Sequence, residues 1–102
     1  MVWYGYVAHF FGALFLTNSV PHLVQGISGN PFPSPFASPP GRGNSSPMIN
    51  VAWGAANLIV GGFLVLLFTD NDPRPLLDLV LMGLGALAFA LMLARAFGER
   101  HG

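Results

Sequence analysis

"PMINVAWGAANLIVGGFLVLLF", residues 47–68, carries no charged side chain. It is long enough to cross a bilayer as one helix, because about 20 residues rising about 1.5 Å each cover a hydrocarbon core of roughly 30 Å. Its start is marked: Ser46 suits an N-cap, and Pro47 suits the first helical position, where a missing backbone donor costs nothing. A transmembrane helix is therefore expected here.

Two further apolar runs flank it. Residues 2–24 form the first, interrupted by His9, Thr17, Asn18, Ser19 and His22; Pro21 frees the carbonyl of Thr17, so a kink or an early end is expected there. Residues 73–97 form the other, with Asp72 as a cap, Pro73 and Pro75 in the first turn, and Arg95 complementing the dipole near the end. The joining "TDNDP" is short, which predicts that helices two and three are antiparallel neighbours. The expected fold is an all-α membrane protein: one membrane domain over residues 1–102, three transmembrane helices, and an ordered Pro/Gly-rich loop at 26–46.

Composition agrees. The 102 residues are 53% hydrophobic and 8% charged, against roughly 25% charged in soluble domains. There is no lysine, and the four arginines match four acids, so no basic patch exists to neutralise successive phosphates and no nucleic-acid partner is expected. Without cysteine there is no disulfide, thiolate metal site or cysteine nucleophile. The opening "MVWYGYVAHF" lacks the positive charge of a secretory signal, so the first run is expected to be retained, with Trp3, Tyr4 and Tyr6 as an interfacial aromatic belt. Arg42, Arg95 and Arg100 fall on one side of the spans and Arg74 on the other; since basic residues accumulate on the cytoplasmic side, the amino terminus is expected outside and the carboxyl terminus inside.

Polar residues within the spans follow helical spacing. Asn18, His22 and Gln25 form one stripe, and Asn50, Trp53, Asn57, with Gly54 and Gly61, form another. In an up-and-down bundle the two stripes can face each other, as a polar pocket or as side chains bonding across helices. His9 lies on the opposite side of the first helix, beside Gly5 and Gly12, and reads as a packed, hydrogen-bonded group. His22 is roughly 20 Å from it along the helix, so no shared metal is expected. Asp78 reads as a carboxylate near the interface, favoured by the helix dipole, with a proton-carrying acid as the sharper alternative. Gly83, Ala86, Ala90 and Ala94 make a small-residue face for helix packing.

The loop is poor in charge and holds Phe32 and Phe36, the reverse of a disordered linker, and reads as a cap packed on the helix ends. Arg42, Asn44 and Ser45, just ahead of the second helix, are candidates for an anion or a lipid headgroup. The run "PHLVQGISGNPFPSPFASPPGRGNSSPMINVAWGAAN", residues 21–57, resembles small uncharacterised bacterial integral membrane proteins. The resemblance implies a polytopic protein of the bacterial cytoplasmic membrane; it carries over no activity and no catalytic residue.

The expected function is a structural or accessory subunit acting through helix packing, with the bilayer and either a second copy or a larger membrane protein as partners. One alternative is an oligomeric small-solute or ion conduit lined by the Asn/His stripes; another is lipid or anion binding at the cytoplasmic loop. No cofactor is expected, and no nucleophile or acid–base set marks an enzyme.

Overall fold

The structure, a computed structural model, describes residues 2–68 and 73–101. Three helices dominate it: α1 Trp3–Ile27, α2 Pro47–Leu67 and α3 Pro75–His101. All three are long and apolar enough to cross a membrane. Between α1 and α2, β1 (Phe32–Pro33) pairs antiparallel with β2 (Asn44–Ser45) in a minimal hairpin, with Phe32 opposite Ser45 and Pro33 opposite Asn44.

α2 begins as its sequence dictates. The Ser46 hydroxyl accepts from the Ile49 N–H at 3.2 Å, and Pro47 occupies the first turn. α3 begins at Pro75 rather than at the expected residue 73. Arg74 precedes a proline, which disfavours helical dihedrals for it, and its carbonyl accepts the first turn's bond from the Asp78 N–H at 3.1 Å. The expected cap Asp72 lies outside the described residues.

Of the kink or early end expected at Pro21, the early end is not met: α1 passes through Pro21 and runs to Ile27. The residues beyond the proline are held from outside. Leu23 packs into the gap left by Gly54, and Gly26 lies so close to α2 that a Cβ there would sit 2.7 Å from the Pro47 carbonyl. These contacts hold the turn that a lost backbone bond weakens. α1 stops at Gly29, whose φ of +78° lets the Asn30 N–H bond back to the Gln25 carbonyl at 2.9 Å.

α1 is also the central helix. α2 and α3 each pack on it and hardly touch each other, so the expectation that helices two and three are direct neighbours is not met. The reason is distributed along α1. Towards α2 it presents Gly12 and Gly26, small enough for backbones to meet: a Cβ on Gly61 would lie 2.8 Å from the Gly12 carbonyl. Towards α3 it presents His9 and Phe10, whose ring fills the space over Gly85. Contacts between α1 and α3 advance together, His9 with Asp78 and His22 with Phe97, so these helices run parallel; those with α2 run in opposite order.

The hairpin folds back onto the end of the bundle. Phe32, Pro33, Ser34 and Ala37 are buried, and the Phe32 ring meets Phe97 at a centroid distance of 4.7 Å. Phe36 is exposed, yet its ring sets edge-on against Trp53 at 5.2 Å.

Candidate functional site: a polar seam and a cavity beneath the hairpin

The two polar stripes meet between α1 and α2. Asn18 Nδ2 donates to Asn57 Oδ1 at 3.1 Å, and Asn57 Nδ2 donates to the Trp53 carbonyl at 2.8 Å. One turn nearer the hairpin, His22 and Asn50 meet at 2.8 Å, with Asn50 fully buried and His22 only 3% exposed. Groups this deep must be bonded, because an unmet donor or acceptor away from water costs about 1–3 kcal/mol.

Asn50 is the hub. Its amide nitrogen faces three backbone carbonyls, those of Phe32, Ser45 and Ser46, at 2.9, 3.3 and 3.1 Å. Carbonyls only accept, so this end of the amide is the NH₂ and Oδ1 is the end turned to His22. His22 therefore carries its proton on Nδ1 and donates to Asn50. One side chain thus ties the hairpin, the start of α2 and α1 together, and sets the tautomer of the histidine.

Of the other expected site residues, Trp53 belongs to this cluster, with its ring 6.4 Å from that of His22. Gln25 does not: its Oε1 accepts from Asn30 Nδ2 at 3.0 Å in an exposed position beyond the seam. At that level Gly26 faces α2 instead. Ser45 is buried, and its hydroxyl is bonded to that of Ser34. Arg42 and Asn44 are exposed, and each is engaged in an interaction of its own. Of the small-residue face, only Ala86 turns partly inward; Gly83, Ala90 and Ala94 are exposed.

A second polar contact lies towards the other end of the bundle. His9 Nδ1 donates to Asp78 Oδ2 at 2.7 Å, joining α1 to α3, with side chains 8% and 14% exposed. The sequence pairs neither residue with the other. His9 Nε2 and Asp78 Oδ1 are buried and have no hydrogen-bond partner among the described residues. Among those residues no group of three histidines, cysteines or carboxylates could hold a metal ion.

Two cavities adjoin along the side where α2 and α3 stand apart. One, of about 240 Å³, is lined by Phe11, Leu14, Phe15, Asn18, Asn57 and Phe89, with Trp53. The other, of about 180 Å³, lies under the hairpin against His22, Ser34, Gly41, Phe97 and the two prolines at 33 and 35. Asn18 and Trp53 line both, so the two spaces meet at these side chains. Comparison of the chain with protein-family models, with curated proteins and with solved structures gives no match.

Proposed function

We propose that this chain is an integral membrane protein that serves as a structural or accessory subunit, docking through the outer face of α3. The observation that carries the reading is the imbalance of α3. Its stretch Pro75–Gly98 holds the most apolar window of the three spans, yet only 6% of that window is buried within the chain, against 28% for α1. Helices associate in lipid through close backbone approach rather than through a hydrophobic driving force, and Gly83, Ala90 and Ala94 are among the exposed small residues of α3 that permit it.

A groove beside this face supports the choice. Ala90, Leu93, Ala94 and Phe97 of α3 border about 460 Å³ of open space together with Thr17, Val20 and Pro21 of α1. Pro21 has no N–H to give the Thr17 carbonyl, so a partner helix bearing a donor would satisfy that oxygen. In this reading the bundle lies in the bacterial cytoplasmic membrane, with the hairpin and the carboxyl terminus inside, following the arginine bias. The partner is a second copy or a larger membrane protein.

Against a conduit lined by Asn18, His22, Asn50 and Asn57 stands the burial of Asn50 and Asn57, 0% and 3% exposed, in bonds between α1 and α2. The test is a photo-crosslinking residue at Ala90 or Ala94, activated in the native membrane. A discrete protein adduct is expected at both positions. Lipid adducts alone would refute the reading.

A further inference from the structure

The cavity under the hairpin contains a group with nothing to bond. His22 is 97% buried by its 3% exposure, and its only hydrogen bond among the described residues runs from Nδ1 to Asn50. With the proton held on Nδ1, the neutral ring presents a lone pair at Nε2. That atom is not sealed as His9 Nε2 is, and His22 forms part of the cavity wall. One turn away, Asn18 uses a single N–H on Asn57, leaving Oδ1 and its second N–H, and it too forms part of the wall.

We infer that these two adjoining cavities together are a binding site for a neutral single-chain amphiphile whose ring-bearing head donates a hydroxyl to His22 Nε2. The observations fix each part of that description. Residues four apart on a helix have Cβ atoms about 5–6 Å apart, so one hydroxyl seated between them donates to His22 and accepts from Asn18 Nδ2. The walls around that point are flat and unsaturated or cyclic: Trp53, Phe97, Pro33 and Pro35. They suit an aromatic ring, which packs edge-on or offset against such neighbours. Neither cavity is lined by an acid or an arginine, so a charged head would enter uncompensated.

The apolar cavity sets the tail. About 240 Å³ of largely apolar space suits one short alkyl chain. Together the two spaces fall in the range of roughly 300–1,000 Å³ typical of small-molecule sites. The opening between α2 and α3 gives the tail a lateral entry from the bilayer. The site does not depend on the docking role of α3: Phe97 borders both spaces, but neither Ala90 nor Ala94 lines the cavities, and either proposal can fail without the other.

The probe is 4-octylphenol, added to the full chain in nanodiscs, with 4-octylanisole as the same molecule lacking the donor. A Trp3→Phe background leaves Trp53, in the wall of both cavities, as the single fluorescent reporter. Saturable quenching by the phenol is expected, with about five- to tenfold weaker binding of the anisole, the loss of one hydrogen bond to a buried acceptor. Side-chain ¹⁵N spectra should show the His22 Nε2 resonance shifting with the phenol only. Leu14→Phe, which crowds the tail cavity without adding a tryptophan, should weaken the saturable quenching. Equal affinity for phenol and anisole, or quenching that rises linearly as simple partitioning does, would overturn the inference without reference to any variant.

Discussion

Removing the Asp78 carboxylate should loosen α3 from α1 far more than the loss of a surface contact would. In Asp78→Ala, His9 remains enclosed, 6% exposed, with both ring nitrogens unbonded, since Nε2 has no partner even in the intact chain. Two magnitudes compete. Hydrogen bonds between neutral side chains in membrane bundles average about 0.6 kcal/mol and reach about 1.7. Leaving a buried polar group without its partner costs about 1–3 kcal/mol, because the survivor stays desolvated. The 2.7 Å geometry and the enclosure of both side chains place His9–Asp78 near the second figure, so a loss of about 3 kcal/mol is expected. The double variant His9→Leu/Asp78→Leu leaves nothing polar to bury and should recover to within about 1 kcal/mol of the parent. Reversible unfolding in bicelles by steric trapping, with tags on α1 and α3, reads both values. A single-variant cost below about 1 kcal/mol, or additive costs in the double variant, would refute the reasoning.

Other consequences concern α2 and the hairpin. Asn50→Leu strips three carbonyls and His22 of their partner at once, so protease cleavage between residues 35 and 43 should rise at least tenfold, whereas Asn57→Leu, which loses one interhelical bond, should cost only about 1 kcal/mol and leave cleavage unchanged. Gly61→Leu should drive α1 and α2 apart and destabilise by at least about 1–3 kcal/mol, while its neighbour Gly62→Leu, with open space around it, should be silent in the same unfolding assay. Gly83→Leu adds bulk where no atom lies within 4 Å, so the isolated chain should keep its unfolding free energy even if assembly in the membrane is lost.

The helices were legible because their causes are local. An uninterrupted apolar run, a serine and a proline define α2, and the four- and seven-residue spacings of Asn50, Asn57, Asn18 and His22 bring the seam together. Local patterns also misled where the cause is distant. Pro21 reads as a kink or an early end, but Leu23 and Gly26 are gripped by α2 and carry the helix past it. Gln25 fits the spacing of the stripe by rounding 3.6 to whole numbers, and at that level Gly26 is the residue that faces α2. His9 and Asp78 lie 69 residues apart, and no periodicity connects them. The role of Asn50 as a hub was equally hidden, because it depends on a two-residue strand that composition cannot announce. Short strands containing proline have almost no pattern of their own.

The docking role of α3 is tested most directly by native mass spectrometry of the protein released gently from its source membrane, parent beside Ala90→Leu. The account predicts one defined stoichiometry for the parent, with a second copy or with a larger protein, and its collapse to the single chain in the variant. A parent that emerges as a monomer carrying only lipid, or a complex indifferent to Ala90→Leu, would contradict it.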